Sequence, residues 1–107
     1  MERIDAELVR QCANLIYEDF DLKTFIDEED YDSVLNALTK AIKNYLDSDL
    51  NNLLNILYRI DINESEVKKI LTTAPPEEMA KQLAEKILRR ELQKVLTRQK
   101  YRPGASN

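Results

Sequence analysis

The stretch "PPEEMAKQLAEKILRRELQKVLTRQK", residues 75–100, decides how this chain folds. Met79, Ala80, Leu83, Ala84, Ile87, Leu88, Leu92, Val95 and Leu96 recur at intervals of three and four, which gathers apolar side chains on one face of an α-helix. Pro75 drives Ala74 out of helical backbone and so stops whatever precedes it. Pro75 or Pro76 also suits the first turn of a new helix, where no amide donor is needed. The spacing predicts one helix over about 76–100, roughly 38 Å long at 1.5 Å per residue.

Working back along the chain, the same period returns four times. "DSDLNNLLNILYRI", residues 47–60, offers Ser48 or Asp49 as an N-cap and a stripe of Leu50, Leu53, Leu54, Leu57 and Ile60. Ile56 and Tyr58 widen that stripe past half the circumference, which predicts a central helix with Leu53, Leu54 and Leu57 in the core. Asn63, with Glu66 three residues on, has the capping-box spacing ahead of a short helix carrying Val67, Ile70 and Leu71 to about Thr72. Upstream, Tyr31, Val34, Leu35, Leu38, Ile42, Tyr45 and Leu46 predict a helix over about 31–46, with acids at its positive end. Leu8, Cys12, Leu15, Ile16 and Phe20 predict another over about 3–20. The connector between these two, with Leu22, Phe25 and Ile26 among acids, sustains no period.

No strand-like alternation or internal repeat interrupts this series. The expected fold is all-α: a compact bundle of four main helices plus one short helix, with helices two, three and five as its middle and a long basic C-terminal helix. Residues 1–102 read as a single helical domain and 103–107 as a flexible tail. At 107 residues the chain has room for one core and no second domain. With 43% hydrophobic and 34% charged residues, and only one Gly, the composition is that of a folded helical protein rather than a disordered one.

From Leu53 onward, "LYRIDINESEVKKIL" and "ILRRELQKVLTRQKY" resemble short bacterial helical proteins that carry an LYRID stretch followed by a basic C-terminal helix. That group has no established activity, so the resemblance implies no function and no site residue.

Composition narrows the chemistry. There is no histidine, which removes imidazole general bases, Ser-His and Cys-His pairs and His ligation of zinc. A single cysteine forms no internal disulfide, and Cys12 falls in phase with Leu8 and Ile16, as a buried thiol does. No apolar run approaches a membrane span or a signal peptide's core, so a cytoplasmic, non-membrane protein is expected. "DSDLNN" places Asp47, Asp49 and Asn51 at the first three ligand positions of an EF-hand loop, but Asn52 stands where Gly is needed and Tyr58 where Glu is. Acids at helix starts read as caps. No metal, no cofactor and no enzymatic activity are expected.

Charge is the informative feature. Residues 1–66 hold 6 basic and 16 acidic residues, whereas 67–107 hold 10 and 4. The basic half reads either as a nucleic-acid surface or as a complement to acids in the same or another protein. Against nucleic acid, helix five begins with Glu77 and Glu78, the wrong sign for a recognition helix's start, and no aromatic stacking set accompanies the cations. The leading expectation is a protein–protein interaction module that self-associates through the end of helix five, the alternative cover for that stripe being the connector at Leu22, Phe25 and Ile26 folded back within one chain. The interface residues are Leu92, Val95 and Leu96, flanked by Arg89, Arg98 and Tyr101. Nucleic-acid binding by the basic helix is the alternative.

Overall fold

The computed structural model describes residues 6–20 and 30–100. Within them lie five helices and no strand: α1 Ala6–Phe20, α2 Tyr31–Ser48, α3 Leu50–Ile60, α4 Glu64–Thr73 and α5 Pro76–Lys100. The expected all-α bundle of four longer helices and one short one is the fold observed. The connector at Leu22, Phe25 and Ile26, the tail and Tyr101 lie outside the described residues.

Each helix starts and stops for a local reason. Asp30 caps α2 by accepting the Ser33 amide at 3.2 Å. Asp49 serves two helices at once: its amide donates to the Tyr45 carbonyl at the end of α2, and its carboxylate accepts the Asn52 amide at 3.2 Å to start α3. Of the two expected caps, Asp49 is therefore the one used, and α2 extends two residues past the expected 46.

α3 ends at Asp61 in the left-handed region (φ 72, ψ 46). The Asp61 amide donates to the Tyr58 carbonyl and the Ile62 amide to that of Leu57, the paired closure that satisfies a helix's last carbonyls. Asn63 then accepts the Ser65 and Glu66 amides at 2.9 and 3.3 Å. The expected capping box is thus made from one side, while Glu66 reaches across to Lys86 on α5. Ala74 is extended ahead of Pro75, whose carbonyl accepts the first amides of α5.

α5 is the centre of the bundle. It packs against all four other helices, most extensively α2 and then α1. Ala80 and Ala84 are small enough to let neighbouring backbones approach, and Leu83, Ile87 and Leu88 fill the space between. α3 is not the central helix its apolar width predicts. Leu53, Ile56, Leu57 and Ile60 face the core, but Leu54 is half-buried and Leu50 and Tyr58 are exposed. Among the described residues the other four helices gather around α5, and none of them covers the flank of α3 that carries Leu50 and Tyr58.

Candidate interaction surface

The basic half of α5 is sorted by the fold into three groups. Lys86 Nζ meets Glu66 Oε1 at 2.8 Å, Arg90 Nη2 meets Asp61 Oδ2 at 3.2 Å, and Lys94 Nζ meets Glu91 Oε1 at 3.3 Å. Three cations are therefore committed to acids of the same chain. Lys86, with Arg89 and Lys69 nearby, holds the Glu66 carboxyl below its usual range by hydrogen bonding and charge. Two grooves between α4 and α5, of about 330 and 300 Å³, share Glu66, Lys86 and Arg89. They are open and lined by both signs of charge.

Arg89 and Arg98 make no ion pair among the described residues, and both are exposed. They do not share a face. At 100° per residue, Arg89, Leu92 and Leu96 form one strip at i, i+3 and i+7, whereas Arg98 continues the buried phase of Ala84, Glu91 and Val95. Arg98 is nevertheless exposed, near the end of α5, which at about 38 Å is longer than the other helices, of about 15 to 27 Å.

The expected interface stripe is split by the same geometry. Val95 is 3% exposed and belongs to the core of the chain itself, Leu92 is half-buried against that core, and Leu96 is 47% exposed. Packing of α1 along α5 accounts for the difference: Cys12 lies near enough to Glu91 to feel its charge, which places α1 beside this part of α5. Burial, with that charge second, pushes the Cys12 thiol from 9.0 up to about 12. Tyr31, at the start of α2, is also raised, first by burial and against the opposing pull of Arg89.

One residue here escaped the sequence reading. Glu91 has no exposed surface, although it appears in the sequence only as the lone acid of a basic run. The signal was its spacing, three after Leu88 and four before Val95, which assigns it to the buried face regardless of charge.

Among the described residues no group of three or more His, Cys, Asp or Glu side chains is placed to hold a metal ion, and no helix is long and apolar enough to cross a membrane. Comparison with known proteins finds no matching family model, no similar curated protein and no similar solved structure.

Proposed function

We propose that this chain is a non-enzymatic protein–protein interaction module that self-associates, with the basic end of α5 contributing one of its contacts. The observation that carries the reading is the Arg89–Leu92–Leu96 strip. Arg89, which makes no ion pair among the described residues, and a leucine nearly half in water share a solvent-facing side of the longest helix. Such a strip is stabilised by an acidic surface with apolar content, and the N-terminal two-thirds of a second copy carries an excess of acids.

The nucleic-acid reading is weakened by the pairing already described. Lys86, Arg90 and Lys94 are engaged by acids, so a polyanion meets alternating signs rather than a continuous basic track. Affinity capture from the native cell, with and without nuclease, tests the two against each other. The module reading predicts a protein, its own copy included, that survives nuclease and is released by Leu96→Ser with Arg89→Glu. Capture that disappears with nuclease alone would replace it with the nucleic-acid reading.

A further inference from the structure

Helical period decides what lines the two grooves between α4 and α5. Glu66, Lys69 and Thr73 stand at i, i+3 and i+7 on α4, and Gln82, Lys86, Arg89 and Gln93 at i, i+4, i+7 and i+11 on α5. Each groove has three cations and two acids in its walls. The acids are placed unevenly. Glu85 borders only the groove of about 330 Å³ and Asp61 only that of about 300 Å³, whereas Lys86, Arg89 and Glu66 border both. Positive charge is therefore concentrated at the residues the grooves share.

That concentration works against the helix that carries it. Lys86 stands three residues before Arg89 and four before Arg90, and like charges at those spacings repel. Asp61 offsets Arg90 at 3.2 Å and Glu66 offsets Lys86 at 2.8 Å. Arg89 and Lys69 have no such offset, since neither makes an ion pair among the described residues, Glu85 one turn before Arg89 included. The Glu66 carboxylate lies at the focus of the cluster. A hydrogen bond from Lys86, and then the charges of Lys86, Arg89 and Lys69, hold it below the usual carboxylate range. One exposed monoanion thus serves three cations.

We propose that the Lys69, Lys86 and Arg89 cluster binds the phosphoryl group of a small phosphate monoester, with Glu66 as the side chain it displaces. A phosphate monoester, whose second pKa is about 6, is mostly a dianion at neutral pH and offers three acceptor oxygens, so it matches the cluster's excess charge better than one carboxylate does. The planar fork of Arg89 suits two of those oxygens, and the lysines meet them as point charges. Glu66 is free to yield because its side chain is 48% exposed and turns into water when it leaves Lys86. Thr73 and Gln82 in one groove, and Asn63 and Gln93 in the other, are neutral hydrogen-bonding groups suited to a hydroxylated body. A nucleic-acid strand fits poorly, since it presents a track of singly charged phosphates and Asp61 and Glu85 interrupt the positive region on either side. The site goes beyond the self-association proposed above and does not rest on it. Arg89 is common to both surfaces, so Lys69 and Lys86 carry the test.

Titration of the isotope-labelled full chain with glycerol phosphate in about 150 mM salt, followed by its amide chemical shifts, tests the site. Co-sedimentation with phosphatidylcholine vesicles containing phosphatidic acid is the second arm, which tells a lipid headgroup from a soluble ester. Shifts centred on α4 and α5 should saturate with a Kd of about 10 mM or below. Lys69→Gln and Lys86→Gln should each weaken binding by about threefold or more, and Glu66→Gln, which removes the resident anion, should tighten it by about threefold or more, all with unchanged helical circular dichroism. Binding to vesicles alone, lost in Lys69→Gln and Lys86→Gln, keeps the site and makes its ligand a lipid headgroup. No saturable binding in either arm, binding that both lysine variants leave unchanged, or weaker binding in Glu66→Gln overturns it.

Discussion

Glu91 and Cys12 lie within electrostatic reach of each other where α1 packs on α5, and each makes a testable statement about that junction. A fully buried carboxylate is tolerable only with compensating charge, and Lys94, at 3.3 Å, supplies it from the adjacent turn. Lys94→Met should therefore destabilise the fold by about 1 to 3 kcal/mol, since it strips a cation from a buried anion. Adding Glu91→Leu to that variant should recover part of the loss, because apolar volume suits the site. Urea midpoints for the two single variants and the pair give the coupling, and independent, additive losses would show that the two residues do not act as a pair. Cys12, whose thiol is pushed up to about 12, should resist alkylation at mildly alkaline pH in the folded protein and react rapidly once unfolded. Its folded pKa lies above the unfolded value, so below the unfolded pKa the thiol adds no pH dependence. Stability should fall as pH rises from about 9 toward about 12, where the unfolded chain ionises and the folded one does not. Fast native-state labelling would mean that α1 does not stay seated on α5.

At the level of elements, α3 separates what a helix buries from what it only carries. Leu57 is 1% exposed, so Leu57→Ala should cost about 2 to 5 kcal/mol, whereas half-buried Leu54→Ala should cost about 1 kcal/mol or less in the monomer. Equal shifts of the two denaturation midpoints would place Leu54 in the core after all. The five helices and most of their ends were legible in the sequence, because caps such as Asp49 and Asn63 and the stop at Pro75 act through neighbours a few residues away. The role of α3 was not legible. Periodicity counts apolar positions, and Leu50, Leu54 and Tyr58 widened the stripe until it read as central, yet whether a flank is covered depends on where four other helices lie. The end of α5 shows the same limit. The stripe through Leu92, Val95 and Leu96 was visible, but its division into a buried Val95 and an exposed Leu96 follows from the seat of α1.

Across the whole molecule, segregated charge is used to pair α5 with the acids around it. Glu66, Asp61 and Glu91 each hold a cation of α5 within the one chain. The net excess of acids before residue 66 and of bases after it thus needs no nucleic acid to explain it, and a specific nucleic-acid complex at physiological salt is not expected. The candidate surface was legible only as a basic helix with apolar residues. The most direct test of the account is sedimentation velocity on the full chain over a concentration series, the wild type against Leu96→Ser combined with Arg89→Glu. The wild type should pass from monomer to dimer, and the double variant should stay monomeric with its helical circular dichroism unchanged. A wild type that is monomeric at every concentration, or a dimer equally stable in the double variant, would contradict it.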